Sequence, residues 1–309
     1  MCKKINFFRR FFTPLNELEI YYCERRKSNF KKGIVLKCVK ERKLIHPLFR
    51  VLLRADRWFR RQTITVIGKR KMPTQVILAC THISQNDLEN IYESINHHCW
   101  WFVGDPCVLY KQFSGLLISL NGSIFLETND KEDRNIAYLR AIELLKKGGS
   151  LMIFPEGARN GFESLPVMPL FSGTSKMALE TGSPIVPIAI EEYNKHFIIN
   201  FGDTILPQNF TNSDELTHTL RNSLATLKWE IWEREGIDSR NNISDDYREK
   251  FHKEFEKHIF PYDSLATIER TRFHTSEEIE QNAVNTHLEK MVLSKNNAFL
   301  LRNNPYIRR

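Results

Sequence analysis

The sequence lacks the signatures that mark several common classes of protein site. Its six cysteines include no C-x-x-C pair and no spacing typical of a disulfide framework. It contains no glycine-rich loop of the P-loop or dinucleotide-binding type, and His97-His98-Cys99 has no second ligand pair at zinc-like spacing. These absences argue against nucleotide binding through a glycine-rich loop and against a structural zinc site. The cysteine spacing fits a reduced, cytosolic compartment best.

Long apolar runs are also missing. No segment approaches the ~18 uncharged residues of a membrane span, and residues 75–83 and 113–120, the longest candidates, have the length of core strands or helices. The start MCKKINFFRRFF has neither the apolar region nor the cleavage site of a signal peptide, so export is not expected.

Acidic residues are scarce in the N-terminal quarter. Residues 1–73 carry 21 Lys and Arg against 5 Asp and Glu, a net +16, and since the whole chain carries +8, the remainder carries −8. Helical spacing places Phe8, Phe11, Phe12 and Leu15 on one side of a segment rich in Arg, which is typical of an interfacial helix; the alternative is a basic helix that packs these side chains on its own domain.

Such a charge distribution can indicate nucleic acid, an anionic membrane surface or an acidic carrier protein as partner. The absence of a nucleic-acid-binding signature predicts no nucleic acid. We therefore expect a cytoplasmic protein that associates peripherally with the inner face of the membrane and has no transmembrane span.

Three regions are predicted: a basic membrane-proximal arm over residues 1–73, a core over residues 74–235 and a charged helical C-terminal extension over residues 236–309. Within the core, apolar strand patterns alternate with helical patterns. Such alternation predicts an α/β fold with a largely parallel or mixed central sheet flanked by helices.

Two polar loops follow apolar strand patterns in the core. His82 follows the run from Gln75 to Cys80, with Asp87 five positions later, and Phe154-Pro-Glu-Gly-Ala-Arg159 follows a second apolar run. Ligands bind at the carboxyl ends of parallel strands, so the two loops can share one cleft. A histidine oriented by a carboxylate can deprotonate a hydroxyl. The alternatives are a capping-box role for Asp87, an ordinary loop role for His82, and a plain turn with a surface ion pair for the hexapeptide.

Together these blocks resemble the glycerolipid acyltransferase family, which includes the PlsC-type lysophosphatidic acid acyltransferases. The first loop matches the family's H-x-x-x-x-D block, the second its F-P-E-G-T/S-R block, and Pro184-Ile-Val-Pro187 a later V-P-x-x-P-like block. The resemblance runs from about Thr74 to Asp203. It implies that the chain is an O-acyltransferase of phospholipid biosynthesis.

The resemblance also implies a role for each matched residue. His82 would be the general base and Asp87 its orienting partner, and the acceptor oxygen would attack an acyl thioester without a covalent acyl-enzyme. Glu156, Gly157 and Arg159 would help to bind the acceptor phosphate. The donor would be acyl-CoA or acyl carrier protein, with no bound cofactor and no metal. The expected acceptor is a lysophospholipid, most directly 1-acyl-glycerol-3-phosphate, and the product phosphatidic acid.

One block departs from the family pattern. The usual G-x-x-F-I-D-R, whose arginine contributes to phosphate binding, is here Gly122-Ser-Ile-Phe-Leu-Glu-Thr128. Either Lys131 or Arg134 supplies the missing cation, or the acceptor differs. Two further alternatives are a metal-assisted phosphoesterase with His82 and Asp87 as ligands, and a non-enzymatic module that binds anionic membranes.

Overall fold

The structure, a computed structural model, describes residues 9–68, 72–107, 109–160 and 166–235, together with the isolated positions 246, 249 and 253. The predicted charged helical C-terminal extension over residues 236–309 lies outside the described residues except at those three positions.

A seven-stranded sheet forms the centre of the fold. Its strands are β1 (Thr63–Gly68), β2 (Ile77–Cys80), β3 (Trp100–Gly104), β4 (Ser123–Leu126), β5 (Leu151–Ile153), β6 (Ile185–Tyr193) and β7 (His196–Phe201). The order across the sheet is β1-β7-β6-β2-β5-β3-β4, and every neighbouring pair is parallel except β6 with β7. The predicted α/β class with a largely parallel, mixed sheet is therefore confirmed.

Helices cover both faces of this sheet. They are α1 (Arg9–Phe12), α2 (Leu15–Lys31), α3 (His46–Phe59), α4 (Asp87–Ser94), α5 (Phe113–Asn121), α6 (Lys131–Lys146), α7 (Gly173–Thr181) and α8 (Ser213–Glu235). Short 3-10 helices occupy Glu41–Ile45 and Pro207–Asn209. One buried apolar cluster joins the sheet to α6, α7 and α8, and a second joins its other face to α3, α4 and α5. β2, β5 and the first part of β6 are buried on both sides, which explains why they read as apolar runs rather than as alternating patterns.

The elements predicted around the two polar loops are present. In line with the predicted alternation of strands and helices, α4 follows the His82 loop and α6 precedes β5; the first turn of α6 is capped by the Asp130 side chain, which accepts from the amide of Asp133. The buried strand expected before Glu156 is β5. Local patterns were sufficient here because capping residues and apolar periodicity agree with the tertiary packing.

The N-terminal region is more closely joined to the core than a separate basic arm would be. Residues 63–68, expected within that arm, form the edge strand β1 and pair with β7. Helix α2 packs against α6, and α3 packs against α4. The alternating sequence Thr63–Gly68 is a strand pattern, and its pairing with a distant strand could not be read from the basic composition around it.

The long helix α8 extends the fold beyond the part of the chain that the resemblance covers. Lys228 of α8 is buried with 2% exposure, and its ammonium contacts the Glu191 carboxylate at 2.8 Å and donates to the Ile190 carbonyl.

Within the described ranges, none of the helices is both long enough and apolar enough to cross a bilayer.

Candidate active site

The first polar loop follows the central strand of the sheet. β2 lies between β5 and β6, with Ala79 in register with Ile153 on one side and Pro187 on the other. His82 therefore emerges at the carboxyl edge directly beside the loop that follows β5. The two predicted loops meet because their strands are neighbours, although 70 or so residues separate them.

His82 and Asp87 are in direct contact. Nδ1 of His82 lies 2.8 Å from Oδ2 of Asp87, which is fully buried at the start of α4. The same carboxylate oxygen accepts from the backbone amides of Ile83 and Ser84 at 2.6 and 2.8 Å, and the Ser84 hydroxyl donates to Oδ1 at 2.9 Å. These donors fix the carboxylate, and the carboxylate fixes the imidazole with Nδ1 as its donor. Nε2 is then the nitrogen that can accept a proton.

A second set of contacts holds the ring and the backbone of His82. The Phe154 ring stacks on the imidazole, with centroids 4.2 Å apart and planes at 21°. The His82 amide donates to Oε1 of Glu156 at 3.2 Å, and the His82 carbonyl accepts from the Asn160 amide at 2.7 Å. Two hydrogen bonds from the loop after β5 therefore hold the peptide groups on both sides of His82.

Glu156 lies inside the protein rather than in the open cleft. It is 4% exposed, and its second oxygen accepts from the Met168 amide at 2.8 Å. Burial raises its pKa to about 7, against the opposing effects of the Met168 amide, the Lys228 ammonium and the His82 amide. The charged or neutral state of this carboxyl group can therefore change near neutral pH, in direct contact with the loop that carries His82.

Gly157 and Arg159 complete the second loop. Gly157 has φ of +71°, its amide donates to the Phe154 carbonyl at 3.0 Å, and a Cβ at this position would lie 2.4 Å from Cε2 of Phe171. Only glycine adopts this conformation without strain. Arg159 is 4% exposed. The turn thus brings Glu156 into contact with the His82 amide and places Arg159 at the same carboxyl edge of the sheet.

The altered block lies at the same edge but farther along it. Thr128 follows β4, and its amide and hydroxyl donate to Asp105 at 2.9 and 2.6 Å. Arg134 donates to the Thr128 carbonyl, and Lys131 is exposed at the first position of α6. Three strand spacings separate β4 from β2, which is roughly 14 Å. These two cations are therefore not in the immediate surroundings of His82.

A buried ionic network occupies the end of β4, and sequence reasoning did not find it. Arg26 of α2 donates to both Asp133 oxygens, to Glu127 at 3.0 Å and to the Tyr110 hydroxyl at 2.6 Å. Burial raises the pKa of Glu127 to about 7, opposed by the Arg26 guanidinium. Arg26 stands in a run of basic residues, Arg25-Arg26-Lys27, and nothing in the sequence distinguishes the exposed Arg25 from the other two, which pair with acidic residues.

The two adjacent histidines of the earlier motif serve as hydrogen-bonding partners. Nε2 of His97 lies 2.7 Å from the Ser150 hydroxyl, and Nε2 of His98 lies 3.0 Å from the Asn121 carbonyl. In the part of the chain that the structure describes, no three His, Cys, Asp or Glu side chains are grouped so as to hold a metal ion.

Comparison with known proteins connects this site to a family. A family model described as Acyltransferase matches residues 63–191. A 1-acyl-sn-glycerol-3-phosphate acyltransferase of Borreliella burgdorferi is 29% identical over 157 residues, covering 50% of this chain and 61% of the relative. A chloroplastic 1-acyl-sn-glycerol-3-phosphate acyltransferase of Brassica napus is 31% identical over 134 residues, covering 40% of this chain and 38% of the relative. The chain thus spans between about two fifths and three fifths of these relatives' lengths.

A solved structure shares the fold. The crystal structure of the 1-acyl-sn-glycerophosphate acyltransferase PlsC from Thermotoga maritima superposes with a TM-score of 0.51 at 18% identity, covering 73% of this chain and 94% of that protein. The region that the family model matches contains the His82 loop, the Glu156 loop, the strands from β1 to β5 and most of β6. The resemblance seen in the motifs is confirmed: over residues 63–191, this chain carries an acyltransferase domain of the PlsC-type family.

Proposed function

We propose that this protein transfers a fatty acyl group from a thioester donor to the hydroxyl of a lysophospholipid, with 1-acyl-glycerol-3-phosphate as the acceptor and phosphatidic acid as the product. The observation that carries the proposal is the 2.8 Å contact between His82 Nδ1 and the buried Asp87 carboxylate at the carboxyl edge of the sheet. The names of the relatives from Borreliella burgdorferi and Brassica napus support this choice of acceptor.

In the proposed reaction, Nε2 of His82 takes the proton of the acceptor hydroxyl as its oxygen attacks the thioester carbonyl carbon. A new C–O ester bond forms and the C–S bond breaks. The proton then passes from the imidazolium to the departing thiolate, so that the products are the ester and a free thiol. Asp87 stabilises the imidazolium formed between these steps, because a fixed carboxylate next to Nδ1 favours the charged ring.

The protein holds the proposed base, His82, in position before the substrate binds. Asp87 sets the ring's tautomer, Phe154 sets its plane, and Glu156 holds the backbone amide of His82. A base held within hydrogen-bond reach of its proton avoids the cost of ordering it during the reaction. On this proposal Glu156 acts through His82, which fits its burial.

The acceptor phosphate is proposed to bind beside the second loop. Arg159 offers the planar fork that suits a phosphate, and Gly157 allows the chain to turn tightly there. Glu156 would contribute indirectly, because a carboxylate does not attract a phosphate. Lys131 and Arg134 would add positive charge from the end of β4, roughly 14 Å along the carboxyl edge from β2.

The donor is proposed to be acyl-CoA or acyl carrier protein, used as a co-substrate rather than as a bound cofactor. The acceptor is a membrane lipid, so we propose a cytoplasmic enzyme that works peripherally on an anionic membrane surface. The basic N-terminal region, with its net charge of +16 over residues 1–73, suits such a surface and equally an acidic carrier protein.

A substrate panel tests the proposal. The purified full-length protein is incubated with lysophosphatidic acid, other lysophospholipids or glycerol 3-phosphate, each with acyl-CoA or acyl carrier protein, and products are identified by mass. Phosphatidic acid formation in the parent and its loss in His82→Ala are expected. His218→Ala, on α8, is the matched control and should keep the parental rate.

Each contrary outcome has a clear meaning. Transfer retained in His82→Ala would remove His82 as the base. Transfer to a different lysophospholipid would keep the reaction and change the acceptor. Release of inorganic phosphate without acyl transfer would favour a phosphoesterase, and no turnover with any pair would favour a membrane-binding module.

A further inference from the structure

Helix α8 lies beyond the region that the family model matches, and it buries two cations. Arg221 is 3% exposed and Lys228 is 2% exposed. They are seven positions apart, so both lie on one face of the helix, which packs on β6 and β7. A buried cation loses its hydration, and fixed acceptors or negative charges must offset this cost. The partners of these cations therefore indicate what this face of α8 does.

The ammonium group of Lys228 contacts the second half of β6. It donates to the Ile190 carbonyl and lies 2.8 Å from Oε2 of Glu191. The same Glu191 oxygen accepts at 2.8 Å from Nε1 of Trp232, which is one turn later on α8. Lys228 therefore joins α8 both to the backbone of β6 and to one of its side chains.

This part of β6 also contacts the residue that precedes His82. The Thr81 amide donates to the Ile188 carbonyl at 3.0 Å, which continues the pairing of β2 with β6. The Thr81 hydroxyl then accepts from the Ile190 amide at 3.0 Å, and Thr81 is 1% exposed. The two backbone groups of Ile190 therefore link Lys228 to the start of the loop that carries the proposed base.

The charge of Lys228 also acts on Glu156, whose carboxylate accepts from the His82 amide. Burial raises the pKa of Glu156 to about 7, and the amides that donate to it, together with the Lys228 and Arg221 cations, oppose this rise. The charged carboxylate is a stronger acceptor than the neutral carboxyl group for the amides of His82 and Met168. The cations of α8 therefore favour the form of Glu156 that holds the His82 loop more firmly.

We propose that Lys228 is a positioning residue for the acyltransferase reaction and acts on His82 from α8. It fixes the part of β6 that holds Thr81, and its charge stabilises the Glu156 carboxylate that holds the His82 amide. Helix α8 is then part of the catalytic unit, although it follows the matched region in the chain. The inference rests on the proposed role of His82 as the base.

A pH test must separate Glu156 from the other titratable groups near it. The segments around it carry several charged or titratable side chains: Arg221 and Lys228 on α8, Glu191 on β6, Arg159 on the same loop, His82 on the first loop and Asp87 on α4. Protonation of His82 alone lowers activity on the acid side of the pH profile, because a protonated base cannot accept a proton. A variant of Glu156 is therefore needed as a second background.

The pH profile of acyl transfer by the full-length protein tests the proposal. The assay uses acyl-CoA with lysophosphatidic acid, or with whichever lysophospholipid of the panel reacts fastest. Lys228→Met should lower kcat at neutral pH by at least about tenfold with little change in KM, because the base is displaced. The acid limb of the profile, where activity rises with pH, should move upward by about half a pH unit or more, because Glu156 without the cation is protonated at higher pH.

Two further variants separate the charge of Lys228 from its packing. Lys228→Arg keeps the charge and should restore the parental acid limb and part of the rate. Thr217→Val is the matched control on α8, because the Thr217 hydroxyl joins the helix to Ser175 of α7 at 2.7 Å and not to β6. It should keep the parental kcat. Urea unfolding shows that each assayed variant is folded; if Lys228→Met does not fold, the neutral Lys228→Gln replaces it, with the same expected shift.

The upward shift should disappear when Lys228→Met is made in the Glu156→Gln background. A shift that persists there would show that the lysine acts on His82 directly and would overturn the proposal. A parental profile in Lys228→Met, an equal loss at every pH, or the same loss in Thr217→Val would also overturn it, because Lys228 would then only anchor α8.

The His82→Ala variant separates this inference from the proposed function. Acyl transfer retained in His82→Ala would refute the proposed base, whatever the Lys228 variants do. Loss of transfer in His82→Ala together with a parental profile in Lys228→Met would refute the role of Lys228 and leave the proposed function standing.

Discussion

Nδ1 of His82 lies 2.8 Å from Oδ2 of Asp87, although five positions separate the two residues in the chain. On one continuous helix, residues five apart point about 140° away from each other and could not meet. Here His82 precedes the helix and Asp87 begins it, so the loop folds back on the carboxylate. The amides of Ile83 and Ser84 donate to the same carboxylate oxygen. The Asp87 carboxylate therefore holds both the backbone of the loop and the imidazole of His82 in place.

Asp87→Asn should reduce the turnover number for acyl transfer by at least about a hundredfold, because an amide cannot hold the imidazolium that forms on His82. Steady-state kinetics with the acceptor identified by the substrate panel would measure the loss. Glu89→Gln, the same chemical change two residues later on α4, should leave the rate near that of the parent. Equal rates for Asp87→Asn and the parent would show that Asp87 only caps the helix.

Glu156 should make stability fall as pH rises towards neutrality. Its ordinary pKa of 4.5 is raised to about 7 by burial, so between these values the folded protein binds more protons than the unfolded chain. The contribution is fully present below the lower value and lost as pH rises through the higher one. Each such proton changes the free energy of unfolding by about 1.4 kcal/mol per pH unit.

Glu156→Gln should therefore flatten the pH dependence of stability across this window, as measured by urea unfolding at several pH values. Glu89 has a pKa raised to about 7 by burial in the same way, so Glu89→Gln should also flatten the curve. Only Glu156→Gln should also lower acyl transfer, because an amide replaces one of the two oxygens that accept from the backbone. Parental activity in Glu156→Gln would contradict its role in positioning His82.

Arg26→Met should lower the free energy of unfolding by about 3 kcal/mol, because it leaves Glu127 and Asp133 buried without their cation. The urea midpoint measures this change. Arg25→Met, an exposed neighbour on the same helix, should change stability by no more than about 0.5 kcal/mol. Similar midpoints for the two variants would show that the network contributes little to holding α2 on the core.

Gly157→Ala and Gly182→Ala separate backbone strain from a steric clash. Both glycines have positive φ, +71° and +67°, so each substitution should cost about 1–2 kcal/mol. A Cβ at Gly182 meets nothing within 4 Å, whereas at Gly157 it meets the Phe171 ring. Gly157→Ala should therefore lose more stability, and it should also lower acyl transfer.

The part of the Gly157→Ala stability loss that exceeds the loss in Gly182→Ala is assigned to the clash with Phe171. It should disappear when the double variant Gly157→Ala/Phe171→Ala is compared with the single variant Phe171→Ala. A loss that persists without the Phe171 ring would show that the turn itself, rather than the contact with the ring, is the limiting constraint. Urea unfolding of the two pairs of proteins provides the comparison.

Some features of the site followed from local sequence alone. The apolar run before His82, the capping pattern around Asp87 and the apolar run before Phe154 predicted strands and helix starts that the structure contains. Each depends on residues close together in the chain, whose preferences agree with the final fold. The glycine in Phe154-Pro-Glu-Gly-Ala-Arg159 likewise indicated a tight turn, and its φ is positive.

Other features could not be read in this way. β1 joins the sheet through a partner more than 130 residues later in the chain, and Arg26 meets Asp133 and Glu127 more than 100 residues away. Phe154 stacks on His82 only because β5 is the neighbour of β2. Such contacts depend on strand order, and strand order depends on how all the helices cover the sheet.

The sequence by itself determined the chemical identity of the loops and the elements beside them, because spacing and residue type act over a few positions. The tertiary structure decided which groups meet: it placed Glu156 inside the protein against the His82 amide and Arg26 at the end of β4. It also turned the apolar side of α3 outward. The physical reason is that burial and pairing depend on the whole packed sheet, whereas local propensity depends only on near neighbours in the chain.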